Sequence, residues 1–454
     1  MQFNELGLSK PVLEALEAKG YTTPTPIQAG AIPALLEGRD LLGIAQTGTG
    51  KTAAFVLPSI DRLTKSAVRP MPRHCRMLVL APTRELASQI ADNARLYSKF
   101  ARMNVVTVFG GTSLHKNRQD LSRGVDILVA TPGRLVDLIE QGHLTLGAVE
   151  IFVLDEADQM MDLGFIHALK KIVKLLPRSR QSLFFSATMP KSIRELADQF
   201  IKDPVEVKVA PEATTAERVE QQVIFVNQAE KQILLTMAVQ SLKIDRALVF
   251  TRTKHGADRV VKLLASHGIA SNAIHGNKSQ PQRERALAAF RSGEVPILVA
   301  TDIAARGIDV SGVSHVFNFE LPNVPEQYVH RIGRTARAGA DGMAISFCAD
   351  DEKPYLRDIE RLTRQKITIR SLPENFQAEA AKLVKSRVNV PMSRDEENGR
   401  SGRAPQHGGA ARDGERRFFP AKKKFSARPA GTGGGQRSSG GGGGGQRSAG
   451  GRGR

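Results

Sequence analysis

Short apolar runs alternate with stretches of helical spacing along most of this chain. The runs are rich in Val, Ile and Leu, and each is followed by a segment whose apolar positions recur every three or four residues. This alternation predicts an α/β fold in which helices connect buried parallel strands. The predicted strands are 41–45, 77–81, 105–109, 127–130, 151–154, 182–185, 222–226, 246–250, 271–274, 297–300, 316–320 and 343–347.

A polar stretch at 211–220 interrupts this rhythm, which then restarts. We interpret it as a linker between two α/β domains, 1–210 and 221–375, because 454 residues suffice for two separate cores. Residues 376–454 form a basic extension rich in Gly and Arg, and we expect disorder from about 391 onward because such a composition cannot offset the entropy of ordering.

The charge and hydrophobic composition of the chain indicate what kind of molecule it binds. The net charge of +19 indicates a polyanion, either nucleic acid or an anionic membrane surface. No apolar stretch approaches the roughly 18 residues that span a bilayer, and the first residues lack the features of a signal peptide. We therefore expect a cytoplasmic protein without a membrane partner. Cys75 and Cys348 are far apart and outside any Cys-x-x-Cys spacing, so neither a disulfide nor a zinc site is predicted.

Residues 45–52 read Ala-Gln-Thr-Gly-Thr-Gly-Lys-Thr and lead into a predicted helix. A glycine-rich loop lets backbone N–H groups approach phosphate oxygens, Lys51 can neutralise the outer phosphates, and the Thr52 hydroxyl can hold Mg²⁺. The predicted nucleotide-binding residues of this loop are Thr47, Gly48, Thr49, Gly50, Lys51 and Thr52.

A second motif, Asp-Glu-Ala-Asp at 155–158, follows the predicted strand 151–154. Asp155, at the carboxyl end of that strand, can reach the same Mg²⁺, and Glu156 can orient the attacking water. Either motif alone is compatible with a glycine turn or a polar strand end. Together, in this order, they predict an ATP-hydrolysing site in which Lys51, Asp155 and Glu156 are catalytic.

The loop has Ala45 in place of the first glycine of the strict phosphate-loop pattern, and Gly48 is additional. This variant, followed by Asp-Glu-Ala-Asp, resembles the DEAD-box family of ATP-dependent RNA helicases, and the resemblance covers residues 1–375. Within that family the chain as a whole looks most similar to the bacterial RhlE-like branch. The resemblance implies two tandem RecA-like domains with parallel sheets, which use ATP and Mg²⁺. It also implies local unwinding of short RNA duplexes or remodelling of RNA–protein complexes, in ribosome assembly or RNA decay.

The second domain has no phosphate loop of its own, which predicts one ATP site that the second domain closes. Arg331, Arg334 and Arg337 recur every three residues, so on a helix they form one cationic stripe. A solvated basic face is the alternative. The resemblance implies that Arg334 and Arg337 are arginine fingers on the γ-phosphate and that His330 contacts the Asp-Glu-Ala-Asp region. Ala336 occupies a position where many family members have glycine.

Further nucleotide and coupling residues follow from the resemblance. Gln28 can donate to and accept from one adenine edge, with Phe3 and Tyr21 as aromatic contacts. Gly307 and Asp309 are expected near the ribose. Ser186 and Thr188 are expected to couple hydrolysis to strand separation by hydrogen-bonding the Asp-Glu-Ala-Asp loop.

Several predicted strands of the first domain are followed by residues suited to phosphate contacts, at the edge where open α/β sheets bind ligands. Such contacts position a strand without reading its bases. These residues are Pro82, Thr83, Arg84, Gly110, Gly111, Thr131, Pro132, Gly133 and Arg134. In the second domain the resemblance implies RNA contacts by Arg252, Gln280, Arg283 and Thr301.

The segment from Pro391 contains 14 Lys or Arg and 5 Asp or Glu, with glycine runs between them. We interpret it as a sequence-nonspecific RNA tether, with Phe418, Phe419 and Phe425 available to stack on bases. A flexible solubilising extension is the alternative.

Two other functions stay open at this point. An ATP-gated RNA clamp or assembly scaffold would remain on RNA with little unwinding. A DNA helicase is possible because phosphate-contacting motifs do not distinguish the sugars.

Overall fold

The computed structural model describes residues 1–46, 48–66, 68–209, 219–305, 310, 312–336 and 342–381. All of them belong to a single unit of mutual contacts, Met1–Asn389. The predicted basic tail and most of the predicted linker lie outside the described residues.

The first sheet is parallel, and the predicted strands of the first domain all appear in it. Its strands are β1 (Leu41–Ile44), β2 (Cys75–Leu80), β3 (Val105–Val108), β4 (Val125–Ala130), β5 (Ile151–Leu154), β6 (Gln181–Ser186) and β7 (Val205–Lys208). Their order is β3-β4-β2-β5-β6-β1-β7. Register pairs such as Leu41 with Leu183 and Met77 with Ile151 align the carboxyl ends of the strands at one edge.

The second sheet repeats this plan. Its strands are β8 (Val219–Phe225), β9 (Ala247–Phe250), β10 (Ser271–Ile274), β11 (Ile297–Ala300), β12 (His315–Asn318), β13 (Gly342–Cys348) and β14 (Thr368–Ile369). Their order is β10-β11-β9-β12-β13-β8-β14, so each strand occupies the same place as its counterpart in the first sheet. The prediction of two tandem α/β domains with parallel sheets is confirmed.

Helices connect the strands in both domains. In the first they are α1 (Lys10–Glu17), α2 (Pro26–Leu36), α3 (Lys51–Ser66), α4 (Arg84–Tyr97), α5 (Leu114–Leu121), α6 (Pro132–Glu140), α7 (Ala157–Asp162), α8 (Ile166–Leu175) and α9 (Lys191–Ala197). In the second they are α10 (Lys231–Ser241), α11 (Lys254–Ser266), α12 (Gln280–Ser292), α13 (Asp302–Ala305), α14 (Pro325–Ile332) and α15 (Lys353–Thr363). Short 3-10 helices occur at Phe3–Leu6 and Asp350–Glu352. Of the helices described, none is long and apolar enough to cross a membrane.

Each sheet is buried on both faces, which explains why its strands read as continuous apolar runs. Neighbouring residues of β5 point to opposite sides: Phe152 joins the cluster on one face and Val153 the cluster on the other. The second sheet has the same two clusters, with Leu248 on one face and Val249 on the other. The two rigid sheets hold the loops at their carboxyl edges in place.

The domain limits differ from the predicted ones at two points. Strand β8 begins at Val219, inside the predicted linker 211–220. Phe376 and Ala380 are buried in the second core, so the packed domain continues past residue 375. The linker is predicted from its polarity and the limit at 375 from the extent of the family resemblance, and neither criterion detects a buried aromatic side chain beyond the last strand.

Candidate functional site

The phosphate loop joins the carboxyl end of β1 to the first turn of α3. Lys51, the first residue of α3, is buried, and its Nζ donates a hydrogen bond to the Ala45 carbonyl at 2.8 Å. Gly50 has a φ of +92°, and a Cβ there would lie 2.4 Å from Gln28 Nε2. Both facts require glycine at this position. Thr47 lies outside the described residues.

Gln28, near the start of α2, ties its segment to the phosphate loop. Its Oε1 accepts from the backbone N–H of Thr25 at 2.9 Å, and its Nε2 donates to the Gly50 carbonyl at 3.1 Å. A carboxamide has two N–H donors and two acceptor lone pairs. After these two bonds, the Gln28 carboxamide still has one N–H donor and one acceptor lone pair. These suffice for the predicted contact with one adenine edge.

A cavity of about 380 Å³ opens beside this loop. The structure brings most of the predicted nucleotide residues of the first domain to its wall, namely Phe3, Tyr21, Gln28, Gly48, Gly50, Lys51, Thr52, Asp155 and Glu156. Thr49 instead donates from its hydroxyl to the Gln46 carbonyl at 2.7 Å, which closes the loop turn.

Sequence reasoning missed one whole wall of the cavity. It is formed by Leu86, Gln89, Asn93 and Tyr97 of α4, together with Thr23, Thr25 and Ala53. The four α4 residues are spaced by three, four and four, so they share one face of the helix. This helical spacing could have identified the wall from the sequence, because the four residues come directly after the predicted Pro82–Thr83–Arg84 motif.

Asp155 is buried at the carboxyl end of β5, where its backbone N–H donates to the Leu80 carbonyl. Its Oδ1 accepts from the Glu156 N–H at 3.0 Å. Burial raises the pKa of the Asp155 carboxyl to about 7, although the nearby Lys51 ammonium lowers it. A buried carboxylate that is costly to ionise favours a cation beside it. Together with the Thr52 hydroxyl it offers the oxygen ligands that Mg²⁺ prefers, so these residues fit that ion.

Thr188 makes the predicted contact with the Asp-Glu-Ala-Asp loop. Its backbone N–H and its hydroxyl both donate to Asp158 Oδ2, each at 2.9 Å. Ser186 does not share this role: its hydroxyl is buried without a hydrogen-bond partner in the described structure, while its carbonyl accepts from the Ala45 N–H at 3.1 Å. Thr188 thus contacts the carboxylate motif, and Ser186 contacts the phosphate loop through its backbone.

The predicted cationic stripe of three arginines is wrong. Helix α14 ends at Ile332, and Gly333 follows, so Arg334 lies in a turn and not on the helix. Arg331 is only 1% exposed, and its Nε and Nη2 donate to the two carboxylate oxygens of Asp302 at 2.5 and 2.8 Å. Arg331 is therefore a buried structural residue. Spacing alone could not reveal that Asp302, at the start of α13, pairs with it.

Arg334 and His330 line a second, smaller cavity in the second domain with Arg331, Gln327, Asp302, Ala305 and Phe250. Arg334 is 6% exposed, and its Nε donates to the His330 carbonyl at 3.3 Å. Thr301 follows β11 at the same edge of the sheet. Arg337, Gly307 and Asp309 lie outside the described residues.

The predicted RNA residues of the first domain come together at the carboxyl ends of the adjacent strands β3, β4 and β2. The Arg84 guanidinium packs on two of them: a Cβ at Gly111 would lie 2.4 Å from its Nη1, and one at Gly110 3.2 Å from its Nη2. Burial lowers the pKa of Arg84, and so do the charges of Arg283 and Arg134, although the Glu85 carboxylate raises it. These arginines therefore concentrate positive charge at one place, which attracts a polyanion.

The predicted RNA arginines of the second domain are engaged by carboxylates. Arg283 donates from Nε to Glu85 of the first domain at 2.7 Å and from Nη1 to the His275 carbonyl at 3.1 Å. Arg252 donates from Nη2 to the buried Glu352 at 3.1 Å. To bind phosphate, each must exchange or share its carboxylate partner. Gln280, one turn before Arg283, donates from its side chain to Glu284.

Three features lie along the carboxyl edge of the first sheet: a glycine loop that opens a buried helix, a carboxylate pair two strands away, and a cluster of arginines. Together they define a phosphate-loop ATPase with a nucleic-acid-binding face. Two family models match the chain: "DEAD/DEAH box helicase" at residues 25–196 and "Helicase conserved C-terminal domain" at residues 229–339.

The chain is also similar in sequence and in structure to known RNA helicases. The chain is 43% identical to the DEAD-box ATP-dependent RNA helicase CshA of Geobacillus kaustophilus, over 80% of this chain and 77% of that protein. It is 40% identical to the ATP-dependent RNA helicase CshA of Listeria monocytogenes, over 87% and 75%. Among solved structures, S. cerevisiae Dbp5 bound to RNA and ADP BeF3 matches with a TM-score of 0.73 and 31% identity, over 85% of this chain and 98% of that one. The chain belongs to the DEAD-box family of ATP-dependent RNA helicases.

Proposed function

We propose that this helicase hydrolyses ATP with Mg²⁺ in the first-domain cavity and uses the cycle to separate short RNA duplexes locally. One arrangement carries the proposal: Lys51, Asp155 and Glu156 line the same cavity at the carboxyl edge of the sheet. There the glycine loop receives the triphosphate, and Lys51 exchanges its bond to the Ala45 carbonyl for phosphate oxygens. Thr52 and Asp155 would hold Mg²⁺, which neutralises charge that develops on the phosphates.

Glu156 is the residue that orients the attacking water in this proposal. It follows Asp155 in a left-handed turn, with φ 54° and ψ 53°, which turns the chain sharply between β5 and α7. The reaction needs a positioned water and stabilised phosphate charge more than covalent catalysis. Arg334 and Arg337 of the second domain supply positive charge to the γ-phosphate when the domains close on ATP.

RNA and ATP strengthen each other's binding if both favour the same closed arrangement. Two contacts support such coupling: Thr188 bonds Asp158 within the first domain, and Arg283 bonds Glu85 between the domains. S. cerevisiae Dbp5 holds RNA and ADP BeF3 at the same time. We propose that the arginine-lined edge binds one RNA strand through its phosphates, without sequence preference.

Finer assignments stay proposals. Membership of the RhlE-like branch is a proposal from the overall sequence resemblance, while the relatives named above are CshA proteins. Cytoplasmic work in ribosome assembly or RNA decay, with partners from those pathways, fits a basic RNA helicase. The proposed domains are 1–210 and 221–375, joined by the linker 211–220, with the second core extending at least to Ala380.

The proposal is tested by comparing two quantities on the same short RNA duplex: the rate of ATP-dependent strand separation and the lifetime of the protein on single-stranded RNA. We expect strand separation within few turnovers and a bound lifetime that shortens when ATP is hydrolysed. A lifetime that outlasts many turnovers, without strand separation, would instead establish the ATP-gated clamp. Lengthening the duplex should sharply reduce separation, because the mechanism needs no translocation.

A further inference from the structure

One face of α4 forms a wall of the nucleotide cavity. Leu86, Gln89, Asn93 and Tyr97 line it in that order along the helix. The Leu86 end lies at the sheet edge that also carries Asp155, since β2 and β5 are neighbours in the sheet. At the other end Tyr97 lies beside Tyr21, which raises the pKa of the Tyr97 hydroxyl in addition to the larger effect of burial. The wall thus runs from the phosphate end of the cavity to its aromatic end.

Gln89 is distinctive within this wall. Its Nε2 is buried and has no hydrogen-bond partner in the part of the chain that the structure describes. Leaving a buried amide N–H unpaired is unfavourable, and most such groups in folded proteins have a partner. The other glutamine at the cavity, Gln28, is already bonded to Thr25 and Gly50. Gln89 therefore has an N–H donor that no group among the described residues accepts.

We propose that Gln89 contacts the nucleoside half of ATP and donates an N–H to an acceptor on the base or ribose. The inference rests on the proposed ATP site in this cavity. The last torsion of a glutamine side chain is soft, so a small rotation turns the carboxamide toward a ligand. Gln89 lies about 5 Å along the helix beyond Leu86, on the way from the phosphate loop to Tyr21. This places it past the phosphates, which the glycine loop and Lys51 receive.

The test compares wild-type protein with Gln89→Leu, which keeps the size of the side chain and removes its hydrogen bonds. Gln119→Leu is the matched control, because Gln119 is an exposed glutamine near the end of α5, a helix of the same domain. RNA-stimulated hydrolysis gives KM and kcat for ATP. Inhibition by Mg²⁺-tripolyphosphate, which has no nucleoside, reports binding of the phosphates alone.

We expect Gln89→Leu to raise KM for ATP about three- to tenfold, the effect of one lost hydrogen bond. Its kcat and its inhibition by tripolyphosphate should match those of wild type and of Gln119→Leu. An unchanged KM would overturn the proposal and make Gln89 a packing residue. Equal weakening of ATP and tripolyphosphate would also overturn it, because the contact would then be to phosphate.

A second variant guards against misfolding. Gln89→Met is uncharged, has a similar length and loses the N–H donors, so it should raise KM in the same way while its thermal unfolding stays close to that of wild type. The base and ribose are distinguished with 2′-deoxyATP: a penalty that disappears with this nucleotide assigns the contact to the ribose hydroxyl. Lys51→Ala tests the underlying site separately, since it should abolish binding of ATP and tripolyphosphate alike. Intact binding in Lys51→Ala would refute the ATP site itself, whatever Gln89 does.

Discussion

Glu156 adopts a backbone conformation that is costly for any residue with a side chain. Its φ of 54° lies in the left-handed region, which costs about 1–2 kcal/mol for a residue other than glycine. Strain of this kind is tolerated where the surrounding structure enforces it, and such places are often functional. Here the sharp turn keeps Asp155 and Glu156, adjacent in sequence, on the wall of the same cavity.

Ala336 has the same kind of conformation, with φ 52°, in the segment that follows α14. We predict that Ala336→Gly stabilises the protein by about 0.5–1 kcal/mol, since the relief of strain exceeds the added flexibility of the unfolded chain. Urea unfolding measures the change. As a control, Ala288→Gly in the exposed face of α12 should destabilise by about 1 kcal/mol. A loss of stability in Ala336→Gly would contradict the strain at this turn.

Cys75 and Cys348 are both free and buried. Burial raises the pKa of Cys75 to about 12 and that of Cys348 to about 11. We predict that neither thiol reacts with a disulfide reagent in the native protein at pH 8 and that both react in urea. Because only unfolded thiols ionise readily, stability should fall as the pH rises above about 8.5. Rapid native labelling of either thiol would contradict this.

Local motifs were the part of the site that the sequence could predict. The phosphate loop and the Asp-Glu-Ala-Asp turn each lie within eight residues, so their spacing carries their geometry. The sequence did not reveal that Arg331 and Arg252 form ion pairs, because their partners, Asp302 and Glu352, are distant in sequence. A charge run shows that a residue is cationic, and only the fold shows what it faces.

At the scale of elements, Arg331 connects α14 to the segments that follow β11 and β12. This arginine bonds Asp302, Asn318 and the Glu320 carbonyl, and its guanidinium lies 5.1 Å from the centre of the Phe250 ring. We predict that Arg331→Met destabilises the protein by about 3–5 kcal/mol, because it leaves a carboxylate without its partner. Arg331→Lys should recover only part of this loss, since lysine lacks the bidentate fork.

The control for Arg331 is Arg361→Met. Arg361 pairs with Asp358 on the exposed surface of α15 at 3.2 Å, and a surface pair contributes at most about 1 kcal/mol. Urea unfolding of the full chain distinguishes the two positions. Equal and small effects at both would contradict a structural role for the Arg331–Asp302 pair.

The interior strands could be predicted, and so could the strand at one edge of each sheet, β3 and β10, whereas the strands at the opposite edges, β7 and β14, could not. Predicted interior strands are fully buried apolar runs, such as Ile151–Leu154. In contrast, β7 alternates half-buried valines with exposed Glu206 and Lys208, and β14 consists of two exposed residues. An edge strand has only one neighbour and can remain polar, so the short, partly exposed β7 and β14 resemble loops in sequence, while the valine-rich edge strand β3 does not.

For the whole molecule, the net charge of +19 is divided unevenly. Residues 391–454, which lie outside the described structure, have 14 Lys or Arg against 5 Asp or Glu. We predict that deleting them weakens RNA binding and flattens its dependence on salt, because fewer counterions are released. A variant with Phe418, Phe419 and Phe425 changed to alanine should keep the salt slope and lose the stacking contribution. Unchanged binding at all salt concentrations would support a solubilising extension instead.

The central claim is that one ATP site, built on Lys51, Asp155 and Glu156, is driven by RNA. Steady-state ATP hydrolysis tests it most directly, measured without nucleic acid, with single-stranded RNA and with DNA of the same sequence, for wild type and Glu156→Gln. We predict strong stimulation by RNA alone and its loss in the variant, with ATP binding retained. Equal stimulation by DNA would contradict RNA selectivity, and no stimulation by either would contradict the coupling of this site to RNA.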